Sequence, residues 1–430
     1  MKILIEAPIL TESGYGQHSR LVYESLQGRG FDIYVGALGW GSTSWNFENF
    51  KQYGELKNDM LKFSQVIENA KAQNQDPQFD IQIHVGIANE FKKKAKYSVL
   101  VTAGIETDRV SSDWLIRTYQ GIDKIIVPSE HSQKGFLETS YEARNNNTGQ
   151  NTIIGCNCPV DVVPYPVRHA DPVDLGLDLE TDFNFLTVAL LGPRKNIENS
   201  IVWFLQEFKD DSNVGLILKT ARSKHSVMDR NITEEYIKSI TDRYTDSKCK
   251  VYLIHGAMTQ DEIHALYLHP KMKAYLSTTH GEGYGLPIFE AAYSGLPVVA
   301  TDWSAHLDFL SAPYKEGGKI KDKKLFARVD YSLGPIPQHV VWKDILVEDS
   351  QWAYPAETSV KAKMRKVYEN HGMYSKWATA LKINVLETHS EDKVREKMYT
   401  ALLPELMRNA LNPKQVDDEI DQMFASLSDQ

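Results

Sequence analysis

A short segment at positions 280–291, HGEGYGLPIFEA, combines two carboxylates with closely spaced glycines. Glycine lets a backbone approach a ligand and adopt positive φ, and Pro287 is typical of the first position of a helix. The free N–H groups at a helix start favour phosphate, and a carboxylate accepts hydrogen bonds from vicinal hydroxyls. We therefore expect a phosphate position between Glu282 in the loop and Glu290 in the first helical turn, with one carboxylate on a sugar and the other on a ribose. The ligand-facing loop residues are expected to be Gly281, Gly283, Tyr284 and Gly285.

Each glutamate also has a simpler explanation. Glu290 could be a carboxylate stabilised by the helix dipole, and Glu282 could be a solvated loop acid. The combination of three glycines, a proline helix start and two spaced glutamates is far more specific than any one of them. The pair Ser294-Gly295 is expected to end the helix.

The elements around this segment follow an alternating pattern. Short apolar runs alternate with amphipathic stretches, which is typical of βα units and a parallel sheet. The predicted strands are 2–9, 31–38, 80–87, 97–103, 123–128 and 161–164 in the first half, and 183–191, 214–220, 250–255, 273–278 and 297–301 in the second. After about residue 350 only helical patterns remain, including 360–371 and 374–388.

Residues 165–182 contain prolines and scattered acids without apolar periodicity, and they predict a linker. We therefore expect two domains, at 1–168 and 180–390. Two doubly wound domains joined in this way place a cleft at the carboxyl ends of both sheets. The chemistry is expected in that cleft.

The spacing Glu282-x7-Glu290 resembles the signature of retaining GT-B glycosyltransferases of the family-4 type. The resemblance implies an α/β architecture of two Rossmann-like domains, the second binding a nucleotide-diphosphate sugar, with C-terminal helices at 391–430 packing back on the first. It implies that Glu282 contacts the transferred sugar and Glu290 the ribose. It further implies a retaining transfer assisted by the donor's own phosphate, without a metal or other cofactor.

Residues 190–199, LLGPRKNIEN, resemble the basic pyrophosphate-binding element of that family. Fixed cations stabilise the negative charge that develops on a leaving nucleoside diphosphate. The candidates are Arg194 and Lys195, with Lys219 at the end of the next strand as a third. Relatives often carry an arginine a few residues earlier, where this chain has apolar residues, so Arg194 or Lys219 is expected to take its place. Lys195 could also be an ordinary cation at a helix start.

Other segments extend the resemblance. Residues 255–258, HGAM, follow a strand where relatives hold the nucleotide base through backbone groups, which points to Gly256 and to Met258, although Met258 could equally fill space. In the first domain, residues 99–114 and 123–136 also resemble the family. Glu106 follows a predicted strand there, and it could orient an acceptor hydroxyl or serve in a cap or salt bridge.

Residues 14–19, GYGQHS, nearly match the dinucleotide fingerprint of nicotinamide oxidoreductases. Ser19 replaces the third glycine, and no acidic residue ends the second strand, so the ribose contact of that class is missing. We therefore expect Gly14, Tyr15 and Gly16 to reach toward the diphosphate or the acceptor. His18 is expected to be structural.

Two lysine-rich segments, 92–96 and 315–328, stand out in an acidic chain, and the second has a local net charge of +4. Such runs are usually solvated faces. The functional alternative is an anionic polymer acceptor, such as DNA with a hydroxymethylated base flipped into the cleft. The overall pattern, in which this lysine-rich insertion is followed by FARVDYSLGPI and later by DSQWAYP, resembles a branch common in bacteriophages and large viruses. A glycan is the other expected acceptor, and Trp40 and Trp45 could stack on bases or simply pack.

Composition limits the remaining classes. The chain has 430 residues, a net charge of −9 and no apolar run of about 18 residues, which fits a two-domain globular protein without a spanning helix. The acidic charge argues against non-specific nucleic-acid binding over the whole surface. Three cysteines, Cys156, Cys158 and Cys249, predict reduced thiols in a cytoplasmic protein, in the host cytoplasm if the chain is viral.

Two other functions of the same architecture remain open. A nucleotide-sugar epimerase would need acid and base groups in the first domain, where Glu106, Asp108 and His18 are weak candidates. An inactive nucleotide-sugar-binding protein usually lacks a carboxylate or a phosphate cation, and both kinds are present here.

Overall fold

The computed structural model describes residues 1–404, apart from residues 42, 44, 46–53, 145–148, 172 and 224. In the first half, strands alternate with helices as the apolar pattern predicts. The strands are β1 (Lys2–Ala7), β2 (Asp32–Ala37), β3 (Phe79–Val85), β4 (Ala95–Val101), β5 (Lys124–Val127), β6 (Tyr141–Arg144), β7 (Asn151–Ile154) and β8 (Val160–Val162). The helices are α1 (Gly14–Leu26), α2 (Leu56–Ala72), α3 (Ser112–Tyr119) and α4 (Glu130–Leu137).

The second half repeats the alternation and ends in helices. Its strands are β9 (Phe183–Val188), β10 (Val214–Lys219), β11 (Lys250–Ile254), β12 (Met272–Ser277), β13 (Val298–Thr301), β14 (Ser311–Glu316), β15 (Lys319–Lys324), β16 (Ala327–Val329), β17 (Tyr331–Pro335) and β18 (Gln351–Pro355). Its helices are α5 (Ile197–Glu207), α6 (Val227–Thr241), α7 (Gln260–Leu268), α8 (Leu286–Ser294), α9 (Glu357–Glu369), α10 (His371–Thr388) and α11 (Glu391–Leu402).

Two parallel sheets of six strands form the centres of the two halves. The first has the order β2-β1-β3-β4-β5-β8, and the second has the order β11-β10-β9-β12-β13-β16. Every residue of β10 is buried, because helices cover both faces of the sheet. In such sheets ligands bind beyond the carboxyl ends of the strands, where the strand order reverses.

One prediction about the elements was wrong. After residue 350 the sequence predicts helices only, but residues Gln351–Pro355 form strand β18, antiparallel to β17. Its partner strand lies before residue 350, so the local pattern gave no sign of the pairing. The sequence also predicts a basic loop at 315–328, but much of this lysine-rich segment belongs to the β14–β15 hairpin.

The chain passes between the two halves twice, once in the predicted linker and once just before α11, and the two crossings lie side by side. The predicted linker contains no helix or strand among its described residues. Near its start the backbone N–H of Val167 donates to the carbonyl of His389, at 2.8 Å, just before α11. Helix α11 then packs on the first half, where Val394 and Met398 join its core. The domain bounds stay predictions, and residues 405–430 of the predicted last segment lie outside the described residues.

Candidate functional site

The glycine-rich loop and helix α8 follow β12 at the carboxyl edge of the second sheet. Gly285 adopts a φ of 90° just before the helix, and Gly295 adopts a φ of 81° just after it. The helix begins at Leu286, so Pro287 is its second residue rather than its first. Glu290 therefore lies beyond the first turn, which weakens the interpretation of this carboxylate as a partner of the helix dipole.

The glycines at 281 and 283 do not lie open to a ligand, contrary to the sequence-based expectation. A Cβ at Gly283 would lie 1.9 Å from the carbonyl oxygen of Ala103, and a Cβ at Gly281 would lie 2.2 Å from that of Glu106. The Ser129 hydroxyl also donates to the Gly283 carbonyl, at 2.9 Å. These glycines are required because the loop packs directly on the backbone of the first domain.

Four predicted catalytic side chains meet at this contact between the domains. Lys195 Nζ lies 2.5 Å from Glu282 Oε1, and Arg194 Nη1 lies 3.0 Å from Glu282 Oε2. The other end of the same guanidinium lies 2.7 Å from Glu106 Oε1. Two carboxylates and two cations alternate in this cluster, in the order Lys195, Glu282, Arg194 and Glu106. The cluster is buried and nearly neutral, and it joins the first domain to the second.

The cluster sets the ionisation of its members. Burial raises the pKa of Glu282, but Lys195 and Arg194 outweigh it and lower this pKa to about 2. Burial raises the pKa of Glu106, against the opposing effect of Arg194. Burial also lowers the pKa of Lys195, and Arg194 adds to that effect. Glu282 is therefore ionised near neutral pH, as a hydrogen-bond acceptor for hydroxyls must be.

Lys219 differs from the other two cations. It is 7% exposed, and its ammonium donates to the carbonyl oxygen of Gly256 at 2.5 Å. No carboxylate among the described residues forms an ion pair with it, although the charge of Glu262 acts on it from a greater distance, and burial lowers its pKa. Buried charges are normally paired, so this cation is ready for an anion that the protein itself does not supply.

The loop after β11 lies beside Lys219. Gly256 has a φ of 114°, which exposes its carbonyl to the lysine and favours glycine at this position. Met258 is half-buried and packs on the core of the second domain, in accord with a space-filling role. The ring of His255 is held by buried Asp229, at 2.8 Å, a pair that the sequence did not single out.

Glu290 is half-buried on α8, and among the described residues one side chain forms a hydrogen bond with it. The hydroxyl of Tyr267 donates to Glu290 Oε2 at 2.9 Å. Burial raises the pKa of Glu290 to about 7, although Tyr267 and Arg168 oppose the rise. Sequence reasoning missed Tyr267, because two residues on successive helices share no spacing that marks a contact.

The tyrosines predicted to contact the donor are engaged by the protein. The Tyr15 hydroxyl lies 2.9 Å from Thr102 Oγ1 and accepts from the N–H of Gly104 at 3.1 Å. Its ring stacks on Trp40, with centroids 4.1 Å apart. The Tyr284 ring is buried against Tyr165, at 4.9 Å. Both rings therefore position loops instead of lining an open pocket.

The N-terminal loop faces helix α8 across the domain contact. A Cβ at Gly14 would lie 3.7 Å from the side chain of Leu286, so the starts of α1 and α8 approach each other. Gly16 is required by the tight turn, because a Cβ there would lie 2.0 Å from the carbonyl oxygen of Thr11. His18 is fully buried, as expected for a structural residue.

Little open space remains at the charge cluster. A cavity of about 10 Å³ lies between Lys195, Glu282 and Pro287, which is room for about one water molecule. A larger cavity of about 530 Å³ opens on the outer side of the same loop, beside Pro193, Asn199 and Tyr236. A ligand that contacts Glu282 must therefore displace some of its present partners.

The two lysine-rich segments differ in how far their charges are neutralised. Lys94 pairs with Glu6 at 2.6 Å, and Lys96 pairs with Asp80 near the start of β3, the edge of the sheet opposite the cleft. In the second segment Lys324 and Arg328 both pair with Asp302, and Lys323 pairs with Glu316. Lys315, Lys319 and Lys321 are exposed on the β14–β15 hairpin.

The described residues contain no group of three or more His, Cys, Asp or Glu side chains arranged to hold a metal ion. No helix among them has the length and apolar character needed to cross a membrane. The Cys156 thiol lies 3.4 Å from the carbonyl oxygen of Cys158.

Comparisons with known proteins support the fold. No protein-family model matches the sequence, and no curated protein matches it significantly. Sucrose-phosphate synthase from Thermosynechococcus elongatus superposes with a TM-score of 0.56 at 13% identity, over 99% of this chain and 100% of that one. The trehalose-6-phosphate structure from E. coli that is bound with UDP-2-fluoro glucose gives 0.57 at 10% identity, over 94% and 99%.

The S. aureus protein TarM, in complex with UDP, gives a TM-score of 0.48 at 15% identity, over 75% of this chain. The chain spans only 55% of the length of TarM. The structural neighbours are GT-B glycosyltransferases. The chain therefore has the GT-B fold, and the predicted architecture is confirmed.

Proposed function

We propose that this protein is a glycosyltransferase that moves a sugar from a nucleotide-diphosphate sugar to a hydroxyl acceptor, with retention of the anomeric configuration. The observation that carries the proposal is the buried cluster of Glu282, Arg194 and Lys195, together with the cation Lys219 at the carboxyl end of β10, the strand beside β9. Fold alone does not fix function, so the argument rests on these side chains. The GT-B neighbours agree with it, one of them bound with UDP-2-fluoro glucose.

The cations divide the work of holding the diphosphate. Lys219 is buried and has no carboxylate partner among the described residues, so it supplies the first attraction for an anion. Arg194 and Lys195 already carry ion pairs, and they turn to the diphosphate as it enters. Fixed cations at a water-excluded site stabilise the charge that develops on the leaving diphosphate, and this is the role that a divalent metal fills elsewhere.

The exchange of partners also prepares Glu282. While Arg194 and Lys195 hold both of its oxygens, this carboxylate has little capacity for sugar hydroxyls. Once the cations turn to the diphosphate, the carboxylate is free to accept hydrogen bonds from the sugar. Glu290 accepts hydrogen bonds from the ribose hydroxyls, and the loop at Gly256 contacts the nucleotide base. Binding of the diphosphate and of the sugar is thereby coupled.

The transfer step breaks the bond between the anomeric carbon and the diphosphate oxygen and forms a bond from the acceptor oxygen to the same face of that carbon. The acceptor proton passes to the departing diphosphate oxygen, so the donor itself acts as the base. Glu106 remains close to Arg194 in this arrangement, at 2.7 Å in the present structure. Its role is to position the guanidinium, with an acceptor contact as the alternative.

The acceptor is proposed to be a glycan or a hydroxymethylated base in DNA. The exposed lysines of the β14–β15 hairpin, Lys315, Lys319 and Lys321, favour an anionic polymer. The segment at 92–96 offers less free charge, because Lys93, Lys94 and Lys96 are each paired with a carboxylate. A phage or viral origin rests on the sequence resemblance alone.

An epimerase of the same fold is less well supported. Asp108 is already engaged, since it accepts from the N–H of Gln351 at 2.6 Å and pairs with Arg109. His18 is fully buried behind Tyr165. The first domain therefore offers few free acid or base groups for proton transfer at a sugar.

The test begins with thermal unfolding of the purified protein in the presence of UDP, GDP, ADP or CDP, with and without EDTA. We expect one diphosphate to raise the midpoint in an EDTA-insensitive manner, and Lys219→Met to remove the shift. Lys209→Met is the matched control, because Lys209 pairs with Asp246 on the surface of the same domain. The matching sugar nucleotide, incubated with glycan and with hydroxymethylated DNA, then identifies the acceptor, and NMR of the product gives the anomeric configuration. If no diphosphate stabilises the protein but NAD does, the proposal is wrong.

A further inference from the structure

The side chain of Tyr267 is the closest protein partner that the structure gives to Glu290. It lies on α7 and is 2% exposed, and its hydroxyl donates to Glu290 Oε2 at 2.9 Å. The ring is fixed by packing on Tyr275, with centroids 5.9 Å apart. One oxygen of the carboxylate is thus held inside the domain, and the other has no protein donor among the described residues.

Helix α7 also fixes the loop proposed to hold the base. Its N-cap is Thr259, directly after Met258, and a capping box with Glu262 locks this start. The Thr259 hydroxyl accepts from the Glu262 N–H at 3.2 Å, and the Glu262 carboxylate accepts from the Thr259 N–H at 2.6 Å. The start of α7 therefore anchors the loop proposed to hold the base, and Tyr267 near the end of the same helix anchors Glu290.

We propose that Tyr267 is a positioning residue for the donor nucleotide, holding Glu290 so that its second oxygen meets the ribose hydroxyls in register with the base loop. The inference rests on the proposed function, because it presumes that Glu290 binds the ribose. Tyr267 itself touches the carboxylate and not the ligand.

The electrostatics of the pair favour this role. Burial raises the pKa of Glu290 to about 7, so a buried donor is needed to keep it ionised near neutrality. Burial also raises the pKa of Tyr267 well above its ordinary value, so its hydroxyl keeps its proton at every working pH. The other groups facing the carboxylate are Arg168 from the linker, Tyr275 from β12 and Tyr293 from α8 itself, and His264 of α7 stacks on Tyr293.

The substitution Tyr267→Phe removes one oxygen atom and keeps the ring. Without the hydroxyl the carboxylate loses a hydrogen bond to its charged form, which shifts its ionisation toward higher pH by about one unit. Ribose binding needs the carboxylate, so the affinity for a nucleoside diphosphate should then fall at a higher pH than in the wild type. A tyrosine that only filled space would not move this midpoint.

Titration calorimetry between about pH 5.5 and 9 tests the inference, with whichever of UDP, GDP, ADP and CDP stabilises the protein and with its 2′,3′-dideoxy analogue. We expect Tyr267→Phe to move the midpoint for binding of the parent diphosphate upward by about one unit and to weaken this binding about fivefold near pH 7, because the ionised fraction of Glu290 falls from about a half to about a tenth. The analogue, which lacks the ribose hydroxyls, should bind both proteins equally. Tyr23→Phe is the matched control, because Tyr23 donates to buried Asp59 at 2.8 Å in the first domain.

The outcomes separate the two levels of the proposal. An unchanged midpoint in Tyr267→Phe, together with weaker binding of the parent diphosphate by Glu290→Gln, overturns the role of Tyr267 and leaves the proposed function intact. Equal losses for the parent and the analogue in Tyr267→Phe also overturn it, since they indicate a general loss of packing. If neither Glu290→Gln nor Lys219→Met changes the binding of any diphosphate, or if none binds, the proposed function fails and the inference fails with it.

Discussion

Replacing Lys219 by methionine should make the protein more stable and a poorer ligand binder at the same time. The ammonium is 7% exposed and has a single backbone acceptor, the Gly256 carbonyl. Removing a buried cation relieves a desolvation cost of several kcal/mol, which stabilises the folded state. The loss of its hydrogen bond to the Gly256 carbonyl offsets about 2 kcal/mol of that gain. Methionine retains the aliphatic packing, so the expected net gain is about 1–2 kcal/mol.

The same substitution removes the unpaired cation from the proposed diphosphate site. A charge-assisted hydrogen bond contributes about 1.5–3 kcal/mol, so the dissociation constant of the nucleoside diphosphate should rise by about tenfold to a hundredfold. Differential scanning calorimetry should show a midpoint about 2–8 °C higher for the unfolding of the second domain. Titration calorimetry measures the loss of binding on the same samples.

Lys195→Met should change the stability in the opposite direction from Lys219→Met. Lys195 lies 2.5 Å from Glu282, and its removal leaves a buried carboxylate with Arg194 as its remaining cation. Breaking such a pair costs about 3 kcal/mol, so this variant should be less stable than the wild type, although it too loses a site cation. If Lys219→Met were destabilising, or if it left the binding of diphosphate unchanged, the argument from an unpaired buried charge would be refuted.

Three further changes test other parts of the site. Glu106→Gln should weaken diphosphate binding by about threefold, measured by calorimetry, because Glu106 lies 2.7 Å from Arg194 and positions its guanidinium; stronger binding would mean that Glu106 competes with the diphosphate for Arg194. Gly283→Ala should separate the domains, because its Cβ would lie 1.9 Å from the Ala103 carbonyl, and small-angle scattering should show a larger radius of gyration. The lowered pKa of Glu282, about 2, means that its contribution to stability is present above its ordinary value of 4.5 and is lost as the pH falls toward 2. Glu282→Gln should therefore flatten the acid limb of the stability profile in that window, and an unchanged limb would contradict the strength of its ion pairs.

Much of the architecture could be predicted from the alternation of apolar runs. Strands such as β10 are buried on both faces, so they read as continuous apolar segments with sharp ends. The proximity of Glu282, Arg194 and Lys195 could also be predicted from the sequence, because all three follow strands of one parallel sheet, whose carboxyl ends share one edge. Their proximity is observed, while their catalytic roles stay predictions.

The remainder depends on contacts between distant segments. The glycines at 281 and 283 match a ligand-binding pattern, but the atoms that exclude a side chain belong to Ala103 and Glu106 of the other domain. Sequence spacing cannot distinguish a close approach to a ligand from a close approach to another backbone. In the same way, the hydroxyl of Tyr15 and the ring of Tyr284 are taken up by protein neighbours that no local pattern reveals.

The hydrogen bond between Val167 and His389, at 2.8 Å, has a mechanical consequence. Both chain connections between the domains run side by side at that bond, so we expect relative motion of the domains to be a rotation about it. A rotation displaces atoms in proportion to their distance from the bond. A small rotation about the bond therefore changes the distance between Glu106 of the first domain and Arg194 of the second. We expect this rotation to make or break the contact between the two domains at the site.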